Sequence, residues 1–154
     1  MHPAYLLLAV AAITLIASVI EFVKKGKQNC ELQRIARANG MHFSTRDQLR
    51  LTPRVAANFP IPGAAAVQVK NLIYCGQSTC YKYVFTAEYT TGVFASKKRT
   101  RRVAAFNEPK DRAAQQHFQI NLADPDLKLV EQYESLMKSA AKSESLVPST
   151  DAGL

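Results

Sequence analysis

No charged side chain occurs from Ala4 to Ile20, and Glu21, Lys24, Lys25 and Lys27 follow at once. At 1.5 Å of helical rise per residue, Ala4 to Val23 spans about 30 Å, the thickness of a bilayer's hydrocarbon core. Residues 1–23 therefore read as a transmembrane anchor, with Ala4, Leu7, Ile13, Ile16 and Ile20 among its apolar side chains. Two other readings compete. A cleavable signal peptide calls for a positive start, an apolar core of about 7–15 residues and a small-x-small exit. Here the start is Met-His-Pro, the core is longer, and the exit is Glu-Phe-Val-Lys-Lys. A buried helix of a soluble domain usually carries a polar face, whereas this one has only Thr14 and Ser18.

The flanking charges set an orientation. Lys24, Lys25, Lys27, Arg34 and Arg37 follow the apolar segment against a single acid, Glu31, while the other side offers only the amino terminus and His2. Positive flanks stay in the cytoplasm, so the expectation is a single-pass protein of the cell membrane with its C-terminal domain cytoplasmic.

The remainder is long enough for one domain with its own core and too short for two. The formal net charge of +8 is unevenly spread: residues 24–106 carry 15 Lys and Arg against 3 acids, and residues 107–154 carry 5 against 8. A cytoplasmic leaflet is anionic, so this asymmetry suits a domain resting on its own membrane. Nucleic acid would favour the same composition, but its readers also expose aromatics for stacking. The aromatic residues here are better used as core, and a nucleic-acid partner is not expected.

Residues 24–40 read as a juxtamembrane helix stopped by Asn39-Gly40, with Gly26 as a place to bend. Residues 41–142 form the expected domain. In its first part His42-Phe43-Ser44 suits a short strand and Ser44 to Asp47 a helical cap, while Pro53, Pro60, Pro62 and Gly63 indicate turns and extended loop. Val67 to Tyr74 and Tyr81 to Tyr89 are β-branched and aromatic runs joined by Cys-Gly-Gln-Ser-Thr-Cys, a hairpin signal. Placing Cys75 opposite Cys80 across a four-residue loop puts Leu72, Tyr74, Tyr81, Tyr83 and Phe85 on one core-facing side. Glu88 then points the other way, suited to a cross-strand ion pair with a nearby cation. Arg99 to Phe106 and His117 to Leu122 read as two further strands. Asp124-Pro125-Asp126 opens a helix whose stripe is Leu127, Val130, Tyr133, Leu136 and Met137. Residues 143–154 are small and polar and read as a disordered tail. The fold class expected is α+β: an N-terminal transmembrane helix followed by a small antiparallel sheet covered by a C-terminal helix.

Lys97-Lys98-Arg99-Thr100-Arg101-Arg102 packs five cations into six residues at the start of a strand. Together with Lys24, Lys25 and Lys27 these residues are candidates for contact with an anionic surface or partner. The same run would also keep an edge strand soluble. No glycine-rich phosphate loop, nucleophile elbow, His-Glu-x-x-His or paired-carboxylate pattern is present, so no catalysis and no cofactor are expected. Cys30, Cys75 and Cys80 with the scattered His2, His42 and His117 have no metal-ligand spacing. In a reducing compartment the thiols stay free, although Cys75 and Cys80 would lie close enough to bridge in an oxidising one.

Asn71 to Gly76, Val84 to Gly92 and Arg101 to Ala104 resemble a pattern in small bacterial membrane-anchored proteins of unknown function. In those, a Gly-ended strand, a Phe-x-x-x-Tyr strand and a basic strand follow one or two membrane helices. Arg34 and Gly40 match their Arg-x-x-x-x-x-Gly juxtamembrane segment, so the resemblance covers residues 34–106. It departs where the family often has an Asp in its second strand and this chain has Ala87 beside Glu88. The resemblance implies the architecture and no activity or ligand. The expected function is a non-catalytic interaction module, a small accessory subunit with a membrane-protein partner. The alternative is a peripheral sensor of anionic lipid or a small anionic ligand, and a membrane-tethered enzyme ranks behind both.

Overall fold

The computed structural model describes residues 3–92, 97–110 and 119–144. α1 (Pro3–Ala38) is one helix of 36 residues that passes through Gly26 without interruption. Its N-terminal part is long and apolar enough to cross a membrane, and none of that apolar window is buried against the rest of the chain. Leu7, Ile13, Ile16 and Ile20 are all exposed on it. The last turns behave differently: Leu32 and Ala36 are fully enclosed by the domain. Gly40, at φ 64°, then reverses the chain in the left-handed conformation that glycine adopts without strain. The Met41 N–H donates back to the Ala36 carbonyl at 2.8 Å and closes the helix end.

Five antiparallel strands follow in simple sequence order: β1 (His42–Arg46), β2 (Ala65–Gly76), β3 (Cys80–Thr91), β4 (Lys98–Pro109) and β5 (Asn121–Leu122). α2 (Thr52–Ala57) lies between β1 and β2, and α3 (Leu129–Glu144) closes the described fold. The sheet is covered on both sides. On one, here the loop face, Val67, Val69, Leu72, Tyr83, Phe85, Ala87 and Phe106 meet Leu51 and Val55, with Phe59 and Ile61 from the loop beyond. On the other, the helix face, Ile73, Val84, Val103 and Ala105 meet Leu32 and Ala36 of α1 and Tyr133, Leu136 and Met137 of α3. This double cover is why residues 82–89 and 103–106 are buried without alternation.

β2 contains an irregularity that fits the sheet to both layers. Opposite β3 its register shifts between Lys70 and Ile73, and Asn71 takes a left-handed φ of 49°. The extra residue lets Val67 and Val69 share a face with Leu72 and Tyr74 despite a three-residue step from Val69 to Leu72. Tyr133 of α3 holds the distortion. Its hydroxyl donates to the Asn71 carbonyl at 2.6 Å and lies 2.8 Å from the Thr86 hydroxyl. With its single proton given to Asn71, the Tyr133 hydroxyl accepts from Thr86. Burial pushes its ionisation well above the ordinary tyrosine value.

Several expectations change. The segment around Pro53 is helical, because proline is tolerated in a first turn where its missing N–H has no partner to lose. Asp47 supplies the missing acceptors, taking the Leu51 N–H at 2.8 Å and the Thr52 N–H at 2.7 Å. The β2–β3 hairpin is tighter than expected: Cys75 faces Lys82, not Cys80, and the Gln77 N–H donates to the Cys80 carbonyl at 2.8 Å. No disulfide joins Cys30, Cys75 or Cys80. Tyr81 consequently sits near the turn, 43% exposed rather than in the core. α3 begins at Leu129, not after Asp124, because Asp124 is used in a turn, accepting the Asp126 N–H at 3.0 Å. Leu127 is left outside the packed stripe. Of the expected fourth strand, Asn121 and Leu122 pair with β4, and His117 and Phe118 lie outside the described residues. α3 runs to Glu144, and the expected tail from 145 onward also lies outside them.

Candidate functional site

The direction of α1 fixes which end of the sheet the basic residues occupy. Arg37 lies beside Met41 and His42, Gln33 beside Phe43, and Asn29 and Cys30 beside Ser44, Thr45 and Gln48. β1 therefore runs back along the helix, and its Arg46 end points toward the apolar half of α1. Arg46 pairs with Lys70, Lys70 with Thr86 and Thr86 with Val103. Beyond that row, in the same direction, come the pairs Glu88 with Arg101, Thr90 with Arg99 and Thr91 with Lys98. Measured along the strands, the Lys98 pair lies about 16 Å past the Lys70 pair. Along α1, Lys24 lies about 9 Å beyond Cys30 in the direction of the apolar half. The basic start of β4 and the cations of α1 thus occupy one end of the domain.

At that end three cations converge on one carboxylate. Glu88, its side chain 4% exposed, receives the Lys70 ammonium at 2.7 Å and the Arg99 guanidinium at 2.6 Å on Oε2, and Arg101 Nε at 2.7 Å on Oε1. β3 brings Glu88 here by alternation: it is on the helix face with Val84 and Thr86, opposite the aromatic side chains. The three cations keep between 43% and 63% of their side chains exposed. They form a lid over Glu88 and present their remaining donors outward. Burial alone would raise the Glu88 carboxyl, but Lys70, Arg101 and Arg99 outweigh it and hold it below the ordinary carboxylate value. The cluster carries three positive charges and one negative, a surplus of two.

The other basic residues divide. Lys97 and Lys98 are exposed at the start of β4, at the same end of the sheet, where alternation turns Lys98 to the side of Arg102. Lys24, Lys25 and Lys27 are exposed on α1. Arg102 stands apart: strand alternation turns it from Arg101, and its Nε donates to the Ala123 carbonyl at 2.6 Å, tying β4 to the chain after β5. Lys70 was not among the residues singled out in the sequence. Its signal is the three-residue step from Val69 to Leu72, which marks the bulge beside a lone cation in an otherwise uncharged strand.

A second charged group lies on the loop face toward the opposite end of β4. Arg54 of α2 grips Glu108 through both terminal nitrogens, at 2.7 and 3.2 Å, and the Tyr83 hydroxyl donates to the same carboxylate at 3.2 Å. Between α1 and α3 runs a groove of about 470 Å³, with Ile35, Ala38 and Met137 rimmed by Glu31, Arg34, Glu134 and Lys138. Among the described residues every buried side-chain nitrogen and oxygen has a hydrogen-bond partner, and no three His, Cys, Asp or Glu side chains come together as a metal site. No family model matches the chain, and no curated protein and no solved structure matches it.

Proposed function

We propose that this chain is a single-pass membrane-anchored, non-catalytic interaction module, with its domain on the cytoplasmic side, acting as a small accessory subunit of a membrane protein complex. The observation that supports this reading is the continuity of α1. The helix that supplies the anchor also supplies Leu32 and Ala36 to the domain core, without a linker between. A domain built on its anchor in this way cannot turn independently of α1, and tilts toward or away from the membrane only together with it. It presents fixed faces to the membrane plane and to any neighbour in it, which suits a subunit that docks in one orientation. The α1–α3 groove, apolar at its floor and charged at its rim, has the make-up of a protein contact.

The test is gentle extraction of the full chain, followed by native mass measurement. The reading expects an assembly of defined stoichiometry that is lost when residues 24–28 are replaced by a flexible Gly-Ser segment. A lone monomer or dimer overturns it. Orientation is read separately at the exposed Cys30, which an impermeant maleimide should label only after the membrane is opened. A specific observation favours a second reading within the same architecture, a sensor of anionic lipid: the surplus of cations at the sheet end directed toward the anchor.

A further inference from the structure

We infer that the end of the sheet built from Lys70, Arg99, Arg101, Lys97 and Lys98 is a docking surface for the phosphate headgroups of the anionic leaflet in which the chain is anchored, with Glu88 as the residue that positions the cations. The inference rests on the anchored reading and adds its ligand. Three observations carry it. The first is direction, since these side chains lie at the end of the domain from which α1 continues into its apolar half. The second is surplus. One cation suffices to neutralise Glu88, yet three are held on it, each with donors left over and more than two-fifths of its side chain exposed. The third is the contribution of Lys70. Among the described residues β5 pairs only with Ala104 and Ala105 of β4, so the Lys98–Arg102 half of β4 is a sheet edge, and edge protection accounts for charge there. It does not account for Lys70, which comes from β2, flanked on both sides by other strands.

Glu88 gives the site its geometry. A buried carboxylate bonded by two guanidinium groups and an ammonium stops three long side chains from dispersing into water, so little rotamer freedom remains to be lost when phosphate oxygens arrive. Its negative charge also lowers the total attraction. Removing that charge and removing the cations should therefore act in opposite directions, a pattern that a purely structural cluster would not give.

The chain contains no tryptophan, so Thr91→Trp, placed opposite Lys98, reports distance from the bilayer by energy transfer to a dansyl-labelled lipid. The full-length protein is reconstituted in nanodiscs of phosphatidylcholine alone or with about 30% phosphatidylserine, a charge density at which each surface cation is felt. The docked-to-undocked ratio should rise about tenfold with phosphatidylserine and lose most of that rise at high salt. Adding Glu88→Gln removes the opposing charge while its amide oxygen still accepts from the cations that Glu88 positions, and should raise the ratio further. The matched variant Lys70→Gln, Glu88→Gln, Arg99→Gln and Arg101→Gln removes the surplus while leaving no buried charge unpaired, and should lose the lipid response with its unfolding midpoint measured alongside. Failure to enter nanodiscs overturns the anchored reading itself. Entry without a phosphatidylserine response overturns the docking surface alone, as does a Glu88→Gln variant that responds less than the parent while still folded. Release of the docked domain by free inorganic phosphate at concentrations that leave ionic strength unchanged would assign the site to a soluble anion instead.

Discussion

Glu88 and Glu108 are both carboxylates accepting hydrogen bonds from basic side chains, and the two clusters are built to different ends. Among the described residues Glu108 is met by one cation, a bidentate Arg54, and the Tyr83 hydroxyl donates to the same carboxylate. The result fastens α2 to β4. Glu88 is more deeply enclosed and outnumbered three to one. A cluster that serves the fold alone needs no such excess, so the comparison separates a structural clasp from a surface that still has charge to offer.

The largest expected effect tests that asymmetry in stability. Glu88→Gln weakens three charge-assisted hydrogen bonds at once and leaves Lys70, Arg99 and Arg101 facing one another across a neutral amide, and should cost about 3 kcal/mol in chemical unfolding of the solubilised chain. Glu108→Gln should cost about 1 kcal/mol, since it weakens the hold of one half-exposed cation where Glu88→Gln weakens the hold of three. Equal losses would mean that the two clusters do the same job. The difference also has a pH signature. The folded Glu88 carboxyl lies below its ordinary value of 4.5, so its stabilisation is fully present above that pH and is lost as pH falls through the folded value. Glu88→Gln should flatten this acid limb.

Next in size is Tyr133→Phe, at about 2 kcal/mol, because it strips a partner from a buried carbonyl and a buried hydroxyl at once. Its relevance to the comparison is mechanical: the Asn71 bulge it holds adjoins Lys70. If the bulge positions Lys70, the variant should lose part of the phosphatidylserine response along with stability. A full response in Tyr133→Phe would show that Lys70 is positioned by Glu88 alone.

Most of the architecture was legible in the sequence because it rests on local signals. The uncharged run from Ala4 to Ile20, the paired β-branched runs around Gly76 and the Asn39-Gly40 stop each specify their element without outside help. What escaped depends on partners distant in sequence. The start of α3 moved because Asp124 is recruited to a turn, and Tyr81 left the core because the hairpin register slid by two residues. The two-sided cover of the sheet was hidden for a related reason: Val84 and Val103 meet α1 residues Leu32 and Ala36, far away along the chain. In the candidate site the run of cations was plain, and strand alternation indicated that Glu88 would turn from the aromatics toward a cation. Lys70 was not legible, since only the bulge and the register between β2 and β3 bring it to the same carboxylate.

A smaller effect probes the clasp from the alkaline side. Burial first, and then the Glu108 charge, push Tyr83 from an ordinary 10.0 up to about 12. The neutral phenol is favoured in the fold, so its contribution is fully present below about pH 10 and is lost as pH rises toward about 12. Tyr83→Phe should remove part of the alkaline loss at a cost near neutrality of about 1 kcal/mol. Tyr133, also raised by burial, should retain the rest.

The smallest change is Arg54→Lys, which keeps the charge and loses the fork. A lysine reaches Glu108 with one ammonium, where the guanidinium makes two bonds at 2.7 and 3.2 Å, and the expected cost is about 0.5 kcal/mol. The parallel substitution Arg101→Lys removes a single Nε contact from a carboxylate that keeps Lys70 and Arg99. It should cost less still, while the lipid response persists because the surplus charge is conserved. A clasp is sensitive to the shape of its one cation, and a charged surface to the total. If Arg101→Lys abolishes lipid docking at unchanged net charge, the Glu88 cluster recognises geometry, and the site is a shaped receptor for a single phosphate group, not a charged face resting on many.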